Sequence, residues 1–160
     1  MRPSTVIASV FGIGYFGIAP GTVMSAVAMP LALLIALLGG ATALLAASIV
    51  VFVIGIYACG DHVSATGRED PSECVIDELA GQWLACAFAV VPLGAAGGVI
   101  SLPALALAFV FFRLFDIWKP WPVSWAERKL KGGLGVMADD MLAGLMAGLV
   151  VALIRIGVPL

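Results

Sequence analysis

Two adjacent pairs of carboxylates, Asp77 with Glu78 and Asp139 with Asp140, run directly into apolar sequence, DELAGQWLA and DDMLAGLMAGL. An acid at the mouth of an apolar helix is costly unless a cation or a donor meets it, so these four are the first candidates for chemistry. At helical spacing Asp77, Gly81 and Ala85 form one stripe and Asp140, Gly144 and Gly148 another, each a carboxylate followed by small residues. Small stripes let membrane helices approach closely, and packing the two together would bring Asp77 to Asp140. Oxygen ligands from two rigid helices, with positions left for water, describe a Mg²⁺ site better than a zinc site, because no thiolate pair or histidine cluster is at hand. Glu78 and Asp139, turned about 100° from their neighbours, offer further ligands, a general base, or solvation of the interface.

A second group lies in FRLFDIWKPWP, where Arg113, Asp116 and Lys119 share a broad helix face. A guanidinium fork and an ammonium point charge suit a phosphate. The structural alternative is a juxtamembrane basic belt with Trp118, Trp121 and Trp125 as interface anchors; Asp116 in the middle of the group favours function. Gly12, Gly14 and Gly17 have dinucleotide-fold spacing, but Pro20 and Gly21 would break the required helix, and LALLIALL stands where an acidic ribose ligand belongs. That leaves a close-packing loop, or a backbone nest at Pro20, Gly21 and Thr22 whose amides face an anion. His62, the one histidine, sits beside Asp61 in DHVSATGRED and reads as a solvated loop residue. Cys59, Cys74 and Cys86 have neither zinc spacing nor an arginine six positions on, and read as buried, reduced thiols.

These residues must be positioned by membrane helices. In 160 residues, 62% are hydrophobic and 11% charged, with a mean hydropathy of +1.15, against about half and a quarter in globular chains. A net charge of −2 and the absence of a basic stripe argue against nucleic acid. The start, MRPSTVIASVFGIGYFG, lacks a small-residue cleavage site, so no removed signal is expected. Asp70 as N-cap, Pro71 as first helical residue and Glu73 at N3 predict a helix start there, which leaves Asp77 and Glu78 in its third turn. Residues 22–38 and 41–57, turning at Gly39 and Gly40, predict a first hairpin; residues 79–91 and 100–112, turning through Pro92 and a Gly/Ala cluster, a second; residues 141–154 a final helix. Each hairpin returns to its starting side, so the glycine-rich segment, residues 61–78 and residues 113–140 share one face. It carries Arg68, Arg113, Lys119, Arg128, Lys129 and Lys131, with Arg155 opposite, and the positive-inside rule makes it cytoplasmic. The expectation is one all-α domain over 1–160: a polytopic membrane helix bundle of two helical hairpins and a C-terminal helix, its active-site loops on the cytoplasmic face.

The blocks FGIGYFGIAPGT, DPSECVIDELAG, FRLFDIWKPWP and GGLGVMADDMLAG resemble, in order and over nearly the whole chain, the signature blocks of the phosphatidylglycerophosphatase A family. The resemblance implies a multi-pass bundle in the bacterial inner membrane and Mg²⁺-dependent removal of the phosphate from phosphatidylglycerophosphate, a phospholipid substrate. It makes Asp77 with Glu78 and Asp139 with Asp140 the acidic pairs, and places Arg113, Asp116 and Lys119 in the basic segment. Cys74 and the loop DHVSATGRED depart from the pattern, which leaves Asp61 and His62 without a role. Together these readings predict Mg²⁺ on Asp77 and Asp140 with help from Glu78 or Asp139, and phosphate on Arg113, Lys119 and the Gly21–Thr22 backbone. Water attacks in line; an aspartyl phosphate on Asp116 is the variant, though the DxDx[TV] pattern that accompanies such chemistry is missing. The rival is a small transporter or channel using the same acidic cluster as a cation site. That rival wants charges near the midplane, whereas here they crowd at one interface. A CDP-lipid phosphotransferase would need a Dx3D spacing that does not occur, and a bare scaffold would not need adjacent acidic pairs on two helices.

Overall fold

The computed structural model describes residues 2–91 and 100–158. Among them every regular element is helical: α1 (Pro3–Ala8), a 3-10 turn (Ile13–Tyr15), α2 (Pro20–Thr66), α3 (Ile76–Val90), α4 (Leu102–Trp118), α5 (Val123–Lys129) and α6 (Gly132–Gly157). Two of these, α2 and α6, are long and apolar enough to cross a membrane.

Within α2 a kink at Gly40, with φ 65° and ψ −158°, divides the element into two helical arms, and this is backbone that glycine adopts without a Cβ penalty. The contacts on either side show the chain doubling back. Before the break, Gly21 abuts Glu78, and Trp83 Nε1 donates to the Ala28 carbonyl at 3.1 Å, so this arm runs parallel to α3. Beyond it, Ser48 Oγ donates to the Ala80 carbonyl at 2.8 Å and Cys59 packs with Cys74 and Ile76, so the second arm runs antiparallel. The expected first hairpin is therefore present. Its arms extend further than expected, to Pro20 and Thr66, which puts Asp61 and His62 on helix and not in a loop. Of the second hairpin, α3 and α4 are observed, with Phe112 against Gly81; the expected turn at 92–99 lies outside the described residues.

In α3 every residue except Glu78 and Phe88 is buried, which makes it the axis of the bundle. It runs parallel to α6. The Gly81 and Gly144 backbones touch, the Asp140 carbonyl lies against Gly81, Phe88 rests on Gly148, and at the far end Arg155 Nη1 donates to the Val91 carbonyl at 2.7 Å. A side chain at either Gly81 or Gly144 would collide with the other helix's backbone, which cannot yield as a flexible side chain does. The small stripes thus set the helix separation and, with it, the distance between Asp77 and Asp140. Outward, the bundle exposes Leu34, Leu37, Leu38, Ile49, Val50, Tyr57 and Leu153, a broad apolar surface suited to lipid.

The predicted helix start at Asp70 is not observed. The chain from Gly67 to Val75 is a loop: the Cys74 N–H closes a turn on the Pro71 carbonyl, the Val75 N–H donates to Ala8 at 2.9 Å, and Glu73 is drawn to His62 and Arg68. Those tertiary bonds outcompete a capping box. Consequently Asp77 and Glu78 lie in the first turn of α3, not the third, where the helix's positive end favours their charge. Conversely, α6 begins at Gly132, so Asp139 and Asp140 come two turns inside it.

Candidate active site

Five segments bring polar groups to one end of the bundle around a cavity of about 540 Å³, α5 adding Glu127 to the four that follow. The N-terminus of α2 contributes Ala19, Pro20 and Gly21; the 67–75 loop and α3 contribute Asp70, Ser72, Asp77 and Glu78; α4 contributes Arg113 and Asp116, with Lys119 just beyond it; α6 contributes Asp139 and Asp140. All the candidate acids and bases of the sequence line it. Thr22 does not.

Its carboxylates divide into two sets. Asp77, Glu78 and Asp140 each present an oxygen within 4.8 Å of the others. Among the described residues no cationic side chain pairs with any of the three, and Glu78 Oε2 and Asp140 Oδ2 are buried without a hydrogen-bond partner. Backbone amides help little: the Glu78 N–H donates to Asp77 Oδ1 at 3.1 Å. Unpartnered buried carboxylate oxygens in a tight trio are the donor set a hard divalent cation fits. Asp116 and Asp139 are met by the chain itself. Asp116 is ion-paired with Arg113, and Asp139 Oδ2 accepts from Lys119 Nζ at 2.8 Å. Asp139, expected as a metal ligand, therefore stands apart from the trio, because α6 turns it toward the end of α4 while Asp140 faces α3.

On the basic side, Arg113 Nη1 lies over Gly21, its Nε is buried without a partner, and it donates to Ser25 Oγ at 3.4 Å. Lys119 sits in left-handed backbone (φ 49°) just past α4 and bridges Asp139 and Glu127, each at 2.8 Å. Burial alone would lower its pKa; the two carboxylates outweigh that and raise it above the ordinary 10.5, so the ammonium stays charged.

Gly21 acts as a close-approach point more than as a nest. A Cβ there would occupy the place of Glu78 Oε1, so glycine is what lets Glu78 and Arg113 reach the α2 N-terminus. Pro20 has no N–H and the Val23 N–H donates to the Ala19 carbonyl at 3.1 Å, so the Gly21 and Thr22 amides are the ones left over at this helix start, and of these two residues Gly21 lines the cavity. Ser25 and Glu127 were not singled out by sequence. Ser25 had a signal, a lone hydroxyl one turn after Gly21 in an otherwise apolar run; Glu127 is brought to Lys119 across the proline-containing 119–122 bend, and spacing gives no hint of it.

His62, read as solvated, is 4% exposed. Its Nε2 is hydrogen-bonded to Glu73 Oε1 at 3.0 Å and its Nδ1 to Thr5 Oγ1 at 3.0 Å. Arg68 also binds Glu73, and Asp61 accepts from Ser4 Oγ at 2.5 Å. These residues tie α1, the end of α2 and the 67–75 loop together, outside the cavity. All three cysteines are free and buried, as expected.

The family profile described as phosphatidylglycerophosphatase A matches residues 6–155. The chain is similar to the phosphatidylglycerophosphatase A of Escherichia coli K12, 33% identical over 154 residues covering 91% of this chain and 80% of that protein. It is 32% identical to the Haemophilus influenzae protein of the same name, covering 97% and 90%. It is 37% identical, over 96% of both chains, to a Bacteroides thetaiotaomicron protein provisionally named a phosphatidylinositol-3-phosphatase. No solved structure matches.

Proposed function

The chain belongs to the phosphatidylglycerophosphatase A family of phosphatases, and from that premise we propose that it hydrolyses the phosphomonoester of phosphatidylglycerophosphate with Mg²⁺ at the Asp77–Glu78–Asp140 trio. The observation that carries this reading is the pairing of three clustered carboxylates, with buried unpartnered oxygens on Glu78 and Asp140 and no cationic side chain on them, with an arginine that has unused donor capacity, across one cavity. Both halves of the arrangement suit a ligand that brings a divalent cation and a phosphate together.

In this reading Asp77, Glu78 and Asp140 hold the ion, which when bound supplies charge neutralisation and an acidified water. Arg113, anchored by Ser25 and Asp116, forks onto the phosphoryl oxygens, and the α2 N-terminus at Gly21 adds amide donors. Lys119, fixed by Asp139 and Glu127, contributes positive potential from the opposite wall. Water attacks phosphorus in line while Asp116, beside the bound phosphate, takes its proton. The P–O bond to the glycerol oxygen breaks, and that oxygen takes up a proton as it leaves. Asp116 is also the residue that would form an aspartyl phosphate, but its pairing with Arg113 suits a base better than a free nucleophile.

The apolar exterior and the two long apolar helices mark a membrane-associated protein. We take the bundle as multi-pass in the bacterial inner membrane, with the cavity facing the cytoplasm by the positive-inside argument; the lipid's chains stay in the bilayer while the headgroup enters the site. The transporter reading gains nothing from the structure, since residues 21–60 and 79–112 carry no charge to form a path. Phosphate release from phosphatidylglycerophosphate by the detergent-purified protein, with Mg²⁺ and with chelator, tests the proposal. Release that needs the metal supports it; turnover of phosphatidylinositol 3-phosphate alone would transfer the site to that headgroup, and no turnover of either would remove it.

A further inference from the structure

A second concavity lies outside the polar cavity. Ala26 and Met29 on the first arm of α2, with Ala106, Phe109 and Val110 on α4, line an open and almost wholly apolar groove of about 330 Å³. Its register connects it to the site. Phe109 and Val110 are one helical turn before Arg113, and Ala26 follows Ser25, the residue to which Arg113 donates. With Gly21 beside Arg113, α2 and α4 run antiparallel here, so Met29 and Ala106 stand roughly 10–12 Å deeper than the cavity edge at 1.5 Å per residue. The trough exists because Ala26 and Ala106 are outward-facing alanines among larger apolar neighbours such as Val27, Leu31 and Leu102. Met29 and Phe109 give it adaptable walls.

We propose that this groove receives one acyl chain of the phospholipid whose phosphate enters the polar cavity. The inference rests on the phosphatase reading above and adds to it where the lipid tail lies. An amphipathic ligand is what the two sites together describe: anion donors at Arg113 and Gly21, then, with no polar side chain intervening after Ser25, a lane of carbon leading along the helices. A free phosphate or a soluble phosphomonoester would use the first and leave the second empty.

Filling the trough tests this. Ala106→Phe adds a ring at an exposed position remote from the carboxylates, and Ala26→Phe fills it from the facing wall. For each variant and the wild type, kcat and KM are measured on phosphatidylglycerophosphate with sixteen-carbon and with six-carbon chains. The long-chain kcat/KM is expected to fall about tenfold, chiefly through KM, with the short-chain value within twofold. No change on either lipid, or an equal fall on both in folded protein, overturns the groove. Should one variant not fold, the other decides. Independently, a phosphatidylglycerophosphate bearing a diazirine in one acyl chain is photolysed with wild-type protein. Labelling concentrated on peptides containing Met29 and residues 106–110 supports the proposal, and labelling spread evenly over the lipid-facing helices overturns it. Wild-type protein that labels at the groove yet releases no phosphate from either lipid would sink the phosphatase reading while retaining the chain site.

Discussion

Two acid-bearing regions lie at the same end of this bundle and treat their carboxylates in opposite ways. At Glu73 the chain meets the charge itself, with His62 and Arg68 on the carboxylate and Thr5 completing the imidazole. In the cavity, Asp77, Glu78 and Asp140 crowd within 4.8 Å with two oxygens left unpartnered. A satisfied buried charge holds structure together, whereas an unsatisfied one costs stability and persists where a ligand completes it. The two are linked, since the loop that Glu73 anchors ends at Val75, where α3 starts, so the satisfied cluster sets the position of the unsatisfied one.

The sharpest way to break this contrast is Asp140→Asn. Phosphate release is expected to fall by at least about 10²-fold, the scale of losing one electrostatic contact in a phosphoryl-transfer site. Stability should not fall with it: in chelator, thermal unfolding of the variant should match or exceed wild type, because a buried charge without a counter-ion has been removed. Lower stability with intact activity would make Asp140 structural and end the distinction. Next is Gly21→Ala, whose Cβ takes the place of Glu78 Oε1. A displaced carboxylate should cost up to about 10²-fold in kcat/KM with helical circular dichroism unchanged; unaltered kinetics would mean Glu78 is not needed where it stands. Arg113→Lys keeps the charge but loses the fork and the bond to Ser25. We expect KM to rise about tenfold with a smaller change in kcat, and a lysine variant with wild-type KM would remove Arg113 from the phosphate.

Much of the cavity was legible in sequence because helical periodicity is a local property. The stripes below Asp77 and Asp140 announced that α3 and α6 would touch at Gly81 and Gly144, and the charge-free runs announced which segments return to one end. The family resemblance, resting on four blocks, supplied the activity, which spacing alone does not. What periodicity could not give was competition between local and distant partners. Asp70-Pro71-Ser72-Glu73 is a sound capping box in isolation, yet Glu73 goes to His62, eleven residues back, and the helix starts at Ile76. The same blindness made His62 a solvated loop residue, since its burial depends on Thr5 arriving from α1. Adjacency in sequence groups Asp139 with Asp140; the bend after α4, which delivers Lys119 and Glu127, gives the two different surroundings.

The smallest effect belongs to the satisfied region, and it is the one that tests whether charge is what satisfies it. Burial opposes ionisation of Glu73, but the hydrogen bonds from His62, its own loop backbone and Arg68 prevail and hold the carboxyl below its ordinary 4.5. Arg68 is half exposed and screened by water, so His62 is the partner that matters more. Glu73→Gln keeps the shape and removes the charge; stability should drop by about 1–3 kcal/mol, the cost of weakening a buried charged hydrogen bond. Initial rates at a temperature where both proteins are folded should agree within twofold, since no cavity residue is touched. The sign of the pH dependence follows from the lowered pKa. The stabilisation from ionised Glu73 is complete above its unfolded value of 4.5 and is lost as pH falls through the lower folded value. The difference in unfolding free energy between wild type and Glu73→Gln should therefore be largest above that range and shrink toward zero on acidification. A gap that stays constant down to about pH 3 would show that ionisation of Glu73 is not what closes the clasp.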